Sequence, residues 1–173
     1  MEHKIQTLAR LGTKNFTASL DEVSLRHGQT SKRIFIDHPQ AAAMIPFTAA
    51  NEVIMVRQYR YALQRETLEI PAGKLDDGEN PEECIKRELM EETGFEAQHV
   101  RRLYTYAPAI GYSNEFIHIY EGRALRKVRE EIDTREISSL EILPVDTILE
   151  MIKRQEIIDS KTLLALAFSI SLI

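Results

Sequence analysis

Three glutamates fall within a stretch of five residues, and this stretch belongs to a segment whose sequence predicts a helix. Glu88 and Glu92 are four residues apart with Glu91 between them, so in an α-helix their carboxylates fall on neighbouring rows. Like charges beside apolar residues repel one another and resist desolvation, and a bound cation reverses that cost. Oxygen ligands of this kind suit a hard divalent ion such as Mg²⁺ or Mn²⁺. Arg87, one turn before Glu91, can hold that carboxylate with forked donors.

The residues around these glutamates predict where the helix begins and ends. Asn80 suits the N-cap, Pro81 suits the first helical position, and Glu83 stands at the capping-box position. Gly94 predicts the end of the helix. Taken alone, such a helix is better explained as a solvated acidic face than as a metal site, because most acidic runs on helices are solvated.

The loop before the helix favours the metal site. Nine residues stand at defined intervals over a stretch of 23 residues: Gly73, Glu79, Arg87-Glu88-Leu89, Glu91-Glu92 and Gly94-Phe95. This stretch resembles the Nudix box at every defining position, and a match of this length is specific. The resemblance implies a hydrolase that cleaves a nucleoside diphosphate linked to another group. It also implies a divalent metal cofactor, Mg²⁺ or alternatively Mn²⁺.

Segments outside the box resemble one branch of this family, the ADP-ribose pyrophosphatases. The matching segments are Val56-Arg57-Gln58-Tyr59-Arg60, Glu69-Ile70-Pro71-Ala72-Gly73 and the loop 108–115. This resemblance implies Mg²⁺-dependent hydrolysis of ADP-ribose to AMP and ribose 5-phosphate. Gln155 departs from the pattern, since the branch has glycine there, and so does the acidic stretch at Glu130 and Glu131. These departures leave the substrate open rather than the type of reaction.

Two alternatives to ADP-ribose hydrolysis remain at this point. Another nucleotide sugar, such as GDP-mannose, would use the same catalytic parts. A non-catalytic Nudix module that binds ADP-ribose belongs to a different functional class, and its expected mark is a broken box or an attached DNA-binding domain. The intact carboxylates and the short chain argue against that module.

The resemblance also assigns roles within the box. The metal ligands it implies are two carboxylates and a main-chain carbonyl, from Glu88, Glu92 and Ala72. Glu91 is then a further ligand or an acid close to the metal. Glu79 is expected to orient the loop and the helix by pairing with Arg87.

Roles outside the box concern proton transfer and substrate binding. Glu115 matches the loop position that holds the general base, or an extra metal ligand, in this branch, and its alternative explanation is a solvated loop acid. Arg57 and Arg60 are candidates to bind phosphate through forked donors, with salt bridges at a strand end as the alternative. Three aromatic residues are candidates to stack on a base but are more often core residues, so none is assigned: Phe16, Phe35 and Tyr59.

The composition is ordinary for a globular protein. The chain has 173 residues, 43% apolar and 28% charged, with a net charge of −5, and the acidic balance argues against a nucleic-acid partner. Cys84 is the only cysteine, which excludes an intramolecular disulfide. The first residues lack the apolar core of a signal peptide, and 163–173 is too short to span a membrane. We therefore expect a cytoplasmic protein without a membrane partner.

The order of the predicted elements indicates an α/β or α+β fold. Two or three strands precede His38. Strands at 44–48, at 52–59 and at 68–73 follow, then further strands, with helices at the box, at 144–154 and at 160–169. The resemblance makes this a Nudix-type α/β/α sandwich with a mixed sheet, plus an N-terminal antiparallel strand subdomain. The expected domains are 1–37 and 38–173. Residues 4–37 are expected to exchange across a homodimer that acts on a nucleoside diphosphate sugar.

Overall fold

A computed structural model describes residues 1–170 as ten strands and three helices. The strands are β1 (His3–Gly12), β2 (Thr17–Ser24), β3 (Thr30–Asp37), β4 (Ala41–Pro46), β5 (Glu52–Arg60), β6 (Arg65–Glu69), β7 (Ala72–Lys74), β8 (Phe95–Tyr106), β9 (Ile117–Lys127) and β10 (Ile137–Pro144). The helices are α1 (Pro81–Thr93), α2 (Val145–Lys153) and α3 (Ser160–Ser169). This mixed α/β content confirms the predicted fold class. None of the helices within residues 1–170 is long and apolar enough to cross a membrane.

The chain divides into two compact units. The first contains Met1–Gln40 and Ala107–Phe116, and the second contains the rest of the chain. In the first unit, β1, β2 and β3 form an antiparallel sheet in that order. The loop 107–116 joins β3 there, because Ile36 N donates to the Tyr112 carbonyl at 2.7 Å. The division into domains 1–37 and 38–173 stays a proposal.

The second unit contains two sheets. One has the order β10-β5-β6 and the other β7-β4-β9-β8, in which β4 runs parallel to β9 and the other pairs are antiparallel. Successive residues of a strand point to opposite faces, so β4 contributes to two apolar clusters. Ala43 and Ile45 belong to the larger core, whereas Ala42 and Met44 pack with Ile85 of α1. The box helix is thus seated on one face of the four-stranded sheet.

Two strand boundaries differ from the sequence-based expectation. β4 begins at Ala41 rather than at Met44. Alanine has a low strand propensity, but the burial of these alanines between neighbouring layers outweighs that preference. The segment expected as one strand from Leu68 to Gly73 is divided at Pro71, which has no N–H to donate. The chain therefore leaves β6 in one sheet and enters β7 in the other, directly before the box.

Candidate active site

The box helix is bounded by the residues that predicted it. Asn80 Oδ1 accepts from the backbone N–H groups of Glu82 and Glu83, both at 3.0 Å, and Pro81 is the first helical residue. Gly94 ends the helix with φ 77°, a left-handed conformation suited to glycine, and its N–H donates to the Met90 carbonyl at 2.9 Å. These caps fix the rotation of α1 and therefore the direction of its glutamates.

Glu88 and Glu92 lie on the side of α1 that faces β7. Glu92 is only 8% exposed, and its Oε2 accepts from Ala72 N at 3.1 Å. A Cβ atom added at Gly73 would overlap the Glu88 carboxylate. The first glycine of the box is therefore required because the Glu88 side chain occupies the space of a Cβ.

Burial dominates the electrostatics of these two carboxylates. Burial raises the pKa of Glu92 to about 8, and the charge of Glu88 adds to this effect. Burial also raises the pKa of Glu88, although the hydrogen bond from Arg87 opposes the shift. The local positive charge therefore does not compensate the buried Glu92 and the half-buried Glu88. Oxygen donors in this state fit a divalent cation, which supplies the missing charge.

The candidate metal ligands of the box do not converge on a single point. Within residues 1–170, no group of three or more His, Cys, Asp or Glu side chains is arranged to hold a metal ion. Glu88 Oε1 accepts instead from Arg87 Nη1 at 2.8 Å, and Glu91 is 41% exposed. Arg87 therefore occupies one oxygen of the Glu88 carboxylate, and its second oxygen is the one that can turn to a cation.

Arg87 joins the loop to the helix. Its Nε and Nη2 donate to the two oxygens of Glu79, both at 2.9 Å, which confirms the expected pairing. Its contact with Glu91 is longer, at 3.4 Å, so Arg87 holds Glu79 and Glu88 more closely than Glu91. The hydrogen bond from Arg87 lowers the pKa of Glu79 to about 2.

The two predicted phosphate-binding arginines both form ion pairs. Arg57 donates to Glu141 Oε1 through Nε at 2.8 Å and Nη2 at 2.5 Å. Arg60 donates to Glu69 through Nε at 2.7 Å and Nη2 at 2.5 Å. Salt bridges therefore describe both arginines in the ligand-free chain, and their part in substrate binding stays a prediction.

Glu115 lies in the first compact unit, where its partner is a histidine. Its Oε1 is 3.5 Å from His38 Nδ1, and its N–H donates to Ser113 Oγ at 3.2 Å. The neighbouring Asn114 fixes this loop, since its Oδ1 accepts from His38 N at 2.9 Å. The Glu115 side chain is only 21% exposed, so it is not a freely solvated loop acid. Its role as a base stays a prediction.

The three aromatic residues considered for stacking are all at the surface rather than in the core. Phe16, Phe35 and Tyr59 are each more than a third exposed.

Sequence reasoning named Arg60 but missed the buried charges next to the box with which it is grouped. Glu69 forms ion pairs with Arg60 and with Lys161, and Lys161 also pairs with Asp159 at 3.0 Å. Burial acts to raise the pKa of Glu69, but the two cations outweigh it and lower the pKa to about 2. Two signals in the sequence pointed to Glu69: it lies between the apolar Leu68 and Ile70, and it begins a segment that resembles the branch. Neither signal indicates its buried partners.

The fold and the acidic helix define a class of α/β proteins in which a loop and a helix present carboxylates from one short motif. The profile of the NUDIX domain family matches residues 37–166, and the chain belongs to this family. It is 42% identical over 151 residues to "Methanol dehydrogenase activator" from Bacillus methanolicus, covering 86% of this chain and 82% of the relative. It is 34% identical to "ADP-ribose pyrophosphatase" from Bacillus subtilis with the same coverage.

A solved structure supports the fold independently of close sequence similarity. The structure described as "Crystal structure of ADP compounds hydrolase" superposes with a TM-score of 0.82 at 20% sequence identity. The match covers 98% of this chain and 94% of the other.

Proposed function

We propose that this chain hydrolyses the pyrophosphate bond of ADP-ribose to AMP and ribose 5-phosphate with Mg²⁺ as cofactor. The observation that carries the proposal is a pair of carboxylates, the buried Glu92 and the half-buried Glu88, which lie against Ala72 and Gly73 with too little positive charge around them. The relative from Bacillus subtilis that is named an ADP-ribose pyrophosphatase supports the choice of substrate.

Each residue of the box has a separate task in this proposal. Glu88, Glu92 and the Ala72 carbonyl hold Mg²⁺, for which Mn²⁺ is the alternative, and Glu91 is a further ligand. When bound, the cation neutralises diphosphate charge and makes water a stronger acid. Arg87 keeps the helix and its loop together through Glu79.

Groups outside the box complete the proposed reaction. Glu115 takes a proton from the attacking water, because a carboxylate that is not bound to metal remains a better base. Arg57 and Arg60 bind phosphate oxygens, since the planar guanidinium matches two oxygens at once. Both arginines are already oriented by a carboxylate partner, which reduces the entropy lost when substrate binds.

Turnover of a panel of nucleotide sugars tests the proposal. ADP-ribose, GDP-mannose and UDP-glucose are incubated with the chain and Mg²⁺, and the products are identified by mass spectrometry. We expect AMP and ribose 5-phosphate from ADP-ribose, and loss of turnover in Glu92→Gln. Glu83→Gln, an exposed acid on the same helix, is the matched control and retains activity. Preferred cleavage of GDP-mannose would reassign the substrate, and no cleavage of any compound would refute the activity.

A second candidate function is activation of a methanol dehydrogenase. The 42% identical relative that carries this name is the observation that favours it. Purified methanol dehydrogenase is assayed with methanol in the presence and absence of the chain, with Glu92→Gln as comparison. A rate increase with the wild-type chain alone would add this function to the hydrolysis.

A homodimer that exchanges residues 4–37 is part of the proposal. Every residue of β1 is exposed, including the large apolar Ile5, Leu8 and Leu11. β1 is also an edge strand of its sheet, and an exposed edge strand with apolar side chains is a site where another chain can pair. Light scattering at micromolar concentration is expected to give the dimer mass, and a fully active monomer would contradict it. A cytoplasmic location stays a prediction.

A further inference from the structure

Glu69, at the end of β6, is a buried carboxylate shared by several donors. It is 3% exposed. Its Oε1 accepts from Arg60 Nε at 2.7 Å and from Thr67 Oγ1 at 2.5 Å, and its Oε2 accepts from Arg60 Nη2 and from Lys161 Nζ. Two cations thus converge on one carboxylate.

Lys161 reaches Glu69 from the first turn of α3. It is 7% exposed and also pairs with Asp159 Oδ2 at 3.0 Å. Asp159 caps α3 by accepting from Thr162 N at 3.1 Å, and Thr162 Oγ1 accepts from Ile70 N at 3.0 Å. The start of α3 is therefore fastened to two consecutive residues that precede Ala72, and Lys161 has a defined position.

Arg60 differs from Lys161 because part of it remains open to solvent. Its side chain is 40% exposed. Nε and Nη2 are occupied by Glu69, while no acceptor within residues 1–170 is bonded to Nη1. Since a guanidinium is planar, fixing one edge fixes the direction of the other N–H groups. The remaining edge is thus held in one orientation and keeps N–H groups that can donate to an anion.

Charge counting shows what Lys161 contributes. Glu69 and Asp159 carry two negative charges, and Arg60 and Lys161 carry two positive charges. Without Lys161 the group has a net charge of −1, and the charge of Arg60 is fully offset by Glu69. An approaching diphosphate would then meet an acidic group rather than an available cation.

We infer that Lys161 is a positioning residue for nucleoside diphosphate binding and acts through Glu69 on Arg60. This inference rests on the proposed function, in which Arg60 binds phosphate. Lys161 neutralises Glu69 from the buried side, so that Arg60 keeps both its orientation and its effective charge for the substrate.

Pyrophosphate binding tests the inference without turnover. Calorimetry in EDTA is performed on the wild type, Arg60→Met, Lys161→Met and the double variant. We expect each single change to weaken binding about tenfold, and the double variant to be no weaker than the weaker single variant, because both remove the same contact. Lys161→Arg is expected to restore binding. Lys153→Met, which removes an exposed lysine paired with Glu150, leaves the affinity unchanged.

Thermal unfolding of each variant shows whether it folds. If Lys161→Met does not fold, Lys161→Gln replaces it in the cycle, because it keeps a donor to Glu69 but removes the charge. Losses that multiply in the double variant would overturn the inference, as would a wild type that does not bind pyrophosphate or a loss in Lys153→Met.

Kinetics with ADP-ribose and Mg²⁺ separate this inference from the proposed function. Lys161→Met is expected to raise KM about tenfold and to change kcat by less than about threefold, which is typical of a lost ground-state contact. An unchanged KM, or a fall in kcat alone, would refute the role of Lys161 while the hydrolase assignment stands. Arg60 and Lys161 could also prove to be coupled in pyrophosphate binding while the chain hydrolyses no nucleotide sugar. That result would refute the hydrolase assignment while the role of Lys161 stands.

Discussion

Arg87 and Glu79 form a two-bond ion pair between the box helix and the loop that precedes it, with both N···O distances at 2.9 Å. The same guanidinium donates to Glu88 at 2.8 Å through its third nitrogen. One side chain thus sets the loop and also holds a carboxylate proposed to bind metal.

Arg87→Lys is expected to lower both stability and activity. Lysine is a point charge and does not reproduce a fork of donors, so at least one bond to Glu79 is lost. We expect a loss of about 1–2 kcal/mol in the free energy of unfolding and a fall in turnover of at least about tenfold. Urea unfolding and steady-state kinetics measure the two effects. Lys86→Arg, an exposed position on the same helix, is the control, and equal behaviour of the two variants would contradict the prediction.

The raised pKa of Glu92 predicts how the stability of the metal-free chain depends on pH. The ordinary value is 4.5 and the folded value is about 8, so the folded state binds more protons between these values. The contribution of the protonated Glu92 side chain to the free energy of unfolding is therefore fully present below pH 4.5 and is lost as the pH rises towards 8. Glu92→Gln removes this titration, and we expect its unfolding free energy in EDTA to change less than that of the wild type over this range.

Urea unfolding at pH 5 and pH 8 checks the prediction for Glu92. The wild type should lose on the order of 2 kcal/mol more than Glu92→Gln between the two pH values. Added Mg²⁺ should reduce the loss in the wild type only, because the ion stabilises the charged carboxylate. Parallel curves for the two proteins would show that Glu92 is charged in the metal-free state.

Glu115→Gln distinguishes three roles for that residue. If Glu115 is the base, kcat falls by about 10²–10⁴-fold, and part of the activity returns at high pH, where hydroxide is abundant. If it is a metal ligand, raising the Mg²⁺ concentration reduces the loss. Kinetics across pH and Mg²⁺ concentration separate these cases. Wild-type rates throughout would assign proton transfer to another residue, with Glu91 as the next candidate.

Gln155→Gly is expected to stabilise the fold. Gln155 follows α2 with φ 59°, and the hydrogen bonds from Gln155 N to Ile152 O and from Glu156 N to Met151 O, both 2.9 Å, define a Schellman cap. Glycine adopts this conformation without steric cost, so we expect a gain of about 1 kcal/mol and a rise in Tm of about 2–4 °C. Gln155→Ala retains the strain and is the control. A lower Tm for the glycine variant would contradict the prediction.

Local signals explain why parts of this structure could be predicted from the sequence. Asn80, Pro81 and Gly94 act through their own backbone positions, so the bounds of α1 followed from residue type. Gln155 was recognised as a departure where glycine was expected, and the positive φ explains why glycine suits this position. The continuous apolar run 53–56 predicted β5 for the same reason, since the pattern lies within one segment.

The features that were missed depend on contacts between distant segments. Lys161 and Glu69 are 92 residues apart, and neither position alone indicates a buried partner. The start of β4 at Ala41 depends on layers above and below it rather than on alanine itself. His38 is the partner of Glu115 across a similarly long separation. Residue type gave the chemistry of these groups but not their neighbours.

The contacts of α3 with Glu69 and Ile70 also have a consequence for the order of synthesis. The ribosome produces the whole box, from Gly73 to Phe95, before it adds Lys161 and Thr162. The nascent chain therefore carries all three glutamates of α1 while Glu69 still lacks its buried lysine and Ile70 N still lacks its acceptor. Folding of the second unit in its final form must wait for α3 to emerge. The emergence of α3 thus determines when, during translation, Glu69 first pairs with Lys161 as well as with Arg60.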